Sequence, residues 1–306
     1  MDTQTYKQFA DASVVTMIEA IAELITSLTP INKSPDKISD ITMPENIMAK
    51  GFWTKEQTKL AFNLYCQIPY GRIHGRNPEI VALSKIIGRT PDAVAMKMLN
   101  IASLDPVIIK SGRTGLGNAS NLDRAVWEEF NSNWEAVATE CTLIFQQLSE
   151  SEISTPAIDE ISDFSMQDFT GETRQTLTHQ RIKQNFFRRS VLSSYRGRCC
   201  MSGLSDSRLL VASHIIPWSV DKANRLNPSN GLCLSAIHDK AFDKGLLSLS
   251  DSGEVLISDE LRRVDDNFMN NIFLSLENKV IEMPEKFAPN IAFLKHHRNN
   301  IFINSK

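Results

Sequence analysis

No two cysteines in this sequence are spaced Cys-x-x-Cys, and its five cysteines include the adjacent Cys199 and Cys200. An odd count with two neighbours leaves no disulfide framework, so a reducing cytosol is the expected compartment. Without a Cys-x-x-Cys pair, a four-cysteine zinc site is not supported. The opening MDTQTYKQFA lacks the basic stretch and apolar run of a secretory signal, and Glu19 and Glu23 interrupt the apolar stretch from Val14 to Ile31. No membrane span is expected there. The sequence also has no GxxxxGK[ST]. Its glycine-rich stretch from Ser111 to Asn118 follows no clear strand and reads as a surface loop.

An excess of positive charge is missing too: 33 basic residues face 36 acidic ones, for a net charge of −3. A nucleic-acid partner usually leaves a basic footprint, so the whole-chain value argues against one. Counted by segment the charge divides into opposed blocks, +5 over 51–120, −11 over 121–172 and +7 over 173–200. The average therefore does not exclude DNA.

At 306 residues the chain is long enough for two modules. Residues 1–50 hold an amphipathic helix, with Val15, Ile18, Ile21, Ile25 and Leu28 at helical spacing, and a proline-punctuated connector. Residues 51–148 read as a helical DNA-binding domain, residues 149–175 as an acidic linker rich in Ser and Thr, and residues 176–306 as a second domain. The fold class expected is α+β.

Within 51–148, Thr54 and Gln57 form a capping-box pattern, Asn77-Pro78 opens a second helix that Gly88 closes, and Thr90-Pro91-Asp92 opens a third. Two short helices joined through Gly88-Arg89 have helix-turn-helix spacing, which makes Lys97 and Asn100 candidate base contacts. Arg72, His74, Arg76, Lys85 and Arg89 are candidate phosphate contacts. The alternative is an ordinary helical hairpin with a solvated basic face. Val126, Trp127, Phe130, Trp134, Val137 and Ile144 return to helical periodicity over 122–148 and complete this core.

A helix is expected from Thr178 to about Tyr195. It carries Arg181, Lys183, Arg188 and Arg189 with no intervening acid, a charge density suited to phosphate contact. Then come SHIIPW (213–218), NPSNGLCL (227–234) and HDKAFDKG (238–245). Leu209 to His214 is a β-branched and apolar run ending in a histidine, an Asn-Gly turn precedes a short strand, and Ala236 to Phe242 can be helical. The expected order is strand, loop, strand, helix. His296-His297 in the tail is expected on a solvated helix face and is assigned to no site.

Over roughly residues 186–249, these motifs resemble the ββα-metal finger of HNH endonucleases, particularly the subgroup with an H-D-x-A-F-D-x-G run. The resemblance implies a C-terminal nuclease domain that hydrolyses DNA phosphodiester bonds, leaving a 5′-phosphate and a 3′-hydroxyl. Carried over by position, His214 is the general base toward the attacking water and Asn230 braces the loop that orients it. His238 is a ligand of one divalent metal, magnesium in the first instance, with manganese, nickel or zinc as alternatives. Many relatives place an acid or histidine just before the base as a second ligand, where this chain has Ser213. Asp239 and Asp243 are the nearest acids, and Asp243 is preferred, either as support for the metal or as a hydrogen bond locking the helix end. Double-stranded DNA is the implied partner, a homodimer would suit double-strand cleavage, and restriction or phage defence is the implied setting. The competing readings are a helix-turn-helix regulator with a degenerate HNH scaffold, and a nuclease for RNA or single strands.

Overall fold

The computed structural model describes residues 51–113, 116–149, 171–264 and 266–303, with the side chains of 146–149 and 171–179 left aside. The amphipathic helix and connector expected over 1–50, and residues 150–170 of the acidic linker expected over 149–175, lie outside the described residues, while 171–175 are helical. All described residues belong to one compact unit.

Helix α1 (Lys55–Gln67) starts where the sequence expects, with Thr54 and Gln57 completing a reciprocal capping box. Its buried face carries Leu60, Ala61, Phe62 and Tyr65. Helices α2 (Pro78–Ile86) and α3 (Pro91–Ala102) are capped by Asn77 and Thr90 and joined through Gly88, whose φ of +66 suits a residue without a Cβ. They pack on each other across a short turn, an arrangement common to the helix-turn-helix and the ordinary helical hairpin. The short α4 (Pro106–Lys110) follows. The periodic stretch at 122–148 is two helices, α5 (Asn121–Ser132) and α6 (Trp134–Ser149). Asn133 leaves the helical region and its side chain accepts from the Ala136 amide, so a cap splits what periodicity alone joins. Phe62, Trp127, Phe130 and Trp134 meet in one aromatic cluster with Phe287 from the tail.

Helix α7 (Gly171–Ser194) begins upstream of its expected start and buries Phe186, Phe187 and Val191. Strand β1 (Leu210–His214) pairs antiparallel with β2 (Gly231–Ser235), setting His214 opposite Gly231, and Ser235 caps α8 (Ala236–Asp243). A Cβ on Gly231 would lie 2.3 Å from Val191 Cγ2, so only glycine lets β2 sit this close to α7. The hairpin β3 (Leu247–Leu249)–β4 (Val255–Ile257) and helices α9 (Asp259–Arg262), α10 (Asn267–Ile272) and α11 (Ile291–Asn300) complete the fold. The class is α+β, helical in its N-terminal part with the ββα unit after it.

The helical and ββα portions share one hydrophobic core, which runs from Leu60 and Phe130 through Phe187 to Leu234 and Phe293. Helix α1 packs along α7. At that junction Lys286, fully buried, points its ammonium at the carbonyls of Tyr65 (2.7 Å), Cys66 (3.0 Å) and Ile68 (2.8 Å) and at Ser193 Oγ (3.3 Å). The cation thus satisfies carbonyls at the C-terminal end of α1, where a helix leaves them unpaired. Burial pulls its pKa down to about 8. Three carbonyl acceptors, none able to donate, hold it as an ammonium at neutral pH.

The pair at 296–297 departs from expectation. His297 is buried, stacks on Phe242 at 3.8 Å and bonds to Ser248 Oγ (2.9 Å) and the Phe242 carbonyl (3.2 Å). It is a core residue, because α11 packs against β3.

Candidate active site

His214 closes β1, and its ring is fixed from three sides. It stacks on Phe187 of α7 at 3.8 Å with the planes 10° apart, and meets Trp218 edge-on at 5.5 Å. Nε2 lies 2.9 Å from the Arg225 carbonyl. A carbonyl only accepts, so Nε2 carries the proton and Nδ1 keeps the lone pair. Burial pushes the His214 pKa down, the Arg225 carbonyl opposing it, which favours the neutral imidazole that a general base needs.

Asn230 is buried between the two ends of the loop that joins β1 to β2. Its Oδ1 accepts from the Ile216 amide at 2.8 Å, while Nδ2 donates to the carbonyls of Ile216 (3.2 Å) and Asn224 (3.3 Å). All of these bonds run to backbone, so the side chain shapes the segment that brings Arg225 to His214.

His238, the expected metal ligand, sits in the first turn of α8. It lies on the core side of α8, 2% exposed, with Nδ1 2.7 Å from Ser235 Oγ and 3.6 Å from Cys199 Sγ, and Nε2 3.2 Å from the Ile272 carbonyl. Both nitrogens have partners within the protein, so binding a metal there would require His238 to give up one of them. Burial alone would lower the His238 pKa, but hydrogen bonding to Cys199 and Ile272 raises it; burial likewise opposes ionisation of Cys199, whose bonds with His238 and Ser202 bring the thiol down. The pair ties α8 to the start of the ββα unit.

The other face of the same helix carries Asp239 and Asp243, four residues apart and therefore neighbours. Burial raises both carboxyl pKa values, and the Asp239 charge raises that of Asp243 further. Ser213, 2% exposed, has no hydrogen-bond partner of normal geometry for its Oγ among the described residues, yet lies close enough to Asp239 to lower that carboxyl's pKa. Two mutually repelling carboxylates with a buried serine hydroxyl beside Asp239 suit a hard cation, which oxygen ligands bind. Both acids are singled out beside His238 by sequence reading, which prefers Asp243.

The candidate DNA-contacting cations fall into two sets. Arg72, Arg76 and Arg181 are exposed, as are His74 and Lys85. The others have partners inside the protein. Lys97, 7% exposed, pairs with the buried Asp123 at 2.7 Å and lies over Trp53, so α3 turns it inward and it cannot reach a base edge from there. Arg89 donates to the carbonyls of Gly51 and Phe52 and to Gln57. Arg188 donates to the carbonyls of Leu210 and Ser207, Arg189 pairs with Glu79, and Lys183 with Glu135. Much of the basic character of α7 is therefore engaged in holding the fold. Arg225, within the loop that joins β1 to β2, and Glu135, beside that loop, were not singled out by sequence reading.

A comparison with curated proteins finds no match. Residues 199–250, which span both strands and helix of the ββα unit, match the family model for HNH endonuclease. By that match residues 199–250 are an HNH endonuclease domain within the longer chain.

Proposed function

We propose that the protein is a divalent-metal-dependent endonuclease that hydrolyses phosphodiester bonds of double-stranded DNA, leaving a 5′-phosphate and a 3′-hydroxyl. The observation that carries this reading is the fixed tautomer of His214: with Nε2 committed to the Arg225 carbonyl, Nδ1 is the atom able to take a proton from water. Asn230 is the brace that keeps that carbonyl in place. Asp239, Asp243 and Ser213 are the residues that would hold the cation, magnesium or manganese before zinc on the strength of their oxygen donors. When bound, the cation supplies Lewis acidity to the phosphate and to its leaving oxygen.

DNA is held by the exposed cations Arg72, Arg76 and Arg181, together with Lys222, Lys240 and Lys244 on the loop and helix of the ββα unit. Restriction or phage defence is the setting proposed, with modified DNA among the substrates to be tried and a homodimer as the form that cuts both strands.

The test is cleavage of unmodified and modified plasmid, and of single-stranded DNA and RNA, with magnesium, manganese or chelator. Metal-dependent nicking or linearisation of duplex DNA that His214→Ala abolishes, with DNA binding retained, is the expected result. Cleavage by that variant at the wild-type rate would sink the mechanism. Activity confined to RNA or single strands would replace the substrate.

A further inference from the structure

The hydrogen bond that sets the His214 tautomer comes from a segment held by a residue outside the ββα unit. Arg225 offers its carbonyl to His214, while its side chain turns back on the loop, with Nε donating to the Trp218 carbonyl at 2.6 Å and the guanidinium over the Trp218 ring at 5.2 Å. Beyond it stands Glu135, in the first turn of α6. Glu135 Oε2 is 3.8 Å from the Arg225 guanidinium, its Oε1 is 2.7 Å from Lys183 Nζ on α7, and its amide donates to the Ala223 carbonyl at 3.4 Å. Glu135 and Arg225 are each 18% exposed at the side chain, so the pair is partly shielded from solvent. One acid therefore reaches the catalytic loop through backbone at Ala223 and through charge at Arg225, and anchors itself to the helix that supplies Phe187 under the His214 ring.

We infer that Glu135 is a positioning residue of the nuclease site. Acting through Arg225, it holds the 218–225 segment so that the Arg225 carbonyl selects the Nε2–H form of His214. This rests on the proposed role of His214 as the base. It makes the helical portion part of the catalytic apparatus rather than only a DNA-binding attachment. A carboxylate that merely screened Lys183 would behave differently: removing it would free a cation and tighten DNA binding without slowing the chemical step.

The experiment compares Glu135→Gln, Arg225→Met and the double variant in the full chain, each first checked for a wild-type urea midpoint. Arg225→Lys serves as the conservative control. Imidazole ¹⁵N spectra of the protein alone, with His214 assigned by its loss in His214→Ala, read the tautomer without DNA or metal. The wild type is expected in the Nε2–H form and Glu135→Gln in a mixture. Single-turnover cleavage at saturating DNA is expected to fall about tenfold in Glu135→Gln, with affinity for DNA unchanged or tighter. Once Arg225 is Met, adding Glu135→Gln should slow the reaction no further, the signature of two residues acting in series. An unchanged His214 spectrum in Glu135→Gln overturns the inference, whether or not the wild type cuts DNA. So do a wild-type single-turnover rate and additive effects in the double variant. If the wild type cuts nothing while the spectrum shifts, the positioning role stands and the nuclease reading falls.

Discussion

Lys286→Met removes a cation that four oxygens surround in the shared core. The carbonyls of Tyr65 and Ile68 lose a charged donor and gain no other, while that of Cys66 keeps the Ser193 hydroxyl at 2.8 Å, and a buried acceptor left unpaired costs about 1–3 kcal/mol. Against that, methionine escapes the penalty of burying a charge. The fall of the lysine pKa from 10.5 to about 8 corresponds to about 3 kcal/mol at about 1.4 kcal/mol per pH unit. Two such acceptors cost about 4 kcal/mol, so the balance is a loss of about 1 kcal/mol, measurable against the roughly 5–15 kcal/mol that holds a typical domain together. Urea unfolding followed by tryptophan fluorescence measures it. A second arm uses pH. In the folded protein the lysine releases its proton near pH 8, whereas in the unfolded chain it does so near 10.5, so the unfolded state binds more protons in that window. Wild-type stability should therefore gain from this group as pH rises from 8 to 10.5, and Lys286→Met should lack that gain. A methionine variant as stable as wild type at pH 7, or an identical pH slope in both proteins, would refute this account of the junction.

His297 gives the opposite limb of the pH profile: burial lowers its pKa to about 4, so the unfolded chain binds the extra proton between pH 6.5 and 4, and stability falls by about 3 kcal/mol as pH drops through that range. His297→Gln should flatten this limb in urea midpoints at pH 7, 5 and 4. Asp239→Asn with Asp243→Asn should abolish the rise in melting temperature that manganese gives the wild type, without destabilising the metal-free protein, since two repelling carboxylates are removed; a manganese-induced rise that persists would move the metal elsewhere. Lys97→Met leaves the Asp123 charge buried without its partner and should cost about 3–5 kcal/mol of stability. Its DNA affinity should keep the wild-type salt dependence, whereas Arg181→Ala should lower the slope by about one, as binding titrations from 50 to 200 mM salt would show.

The elements that carry chemistry were legible because their signals are local. Thr54 with Gln57, Asn77-Pro78 and Thr90-Pro91 announce helix starts through backbone donors that must be capped within three residues. The run ending at His214, the Asn-Gly step and HDKAFD specify strand, loop, strand and helix with bounds close to those observed. Direction around a helix axis was harder to read. His238 and Asp239 are adjacent in sequence but about 100° apart on α8, and only the packing of Cys199 and Ile272 decides that the histidine goes inward. Lys97 was misread for the same reason: its partner Asp123 lies 26 residues away, and the pairing appears only once α3 packs on α5. Periodicity could not see the break at Asn133, where apolar spacing continues across a cap. The long-range links, Lys286 to α1 and Glu135 to Arg225, join residues far apart in sequence and leave no pattern in it.

Portability is where the seating of the ββα unit has its practical consequence. A 199–250 fragment moved into another protein would arrive without the phenyl ring beneath its histidine, without the Arg188 guanidinium that holds the carbonyls of Ser207 and Leu210, and with Gly231 facing empty space in place of Val191. Any transplant of this cutting unit has to carry α7 as its floor and the first turn of α6 as its buttress, so the smallest transferable piece is set by packing and is larger than the motif.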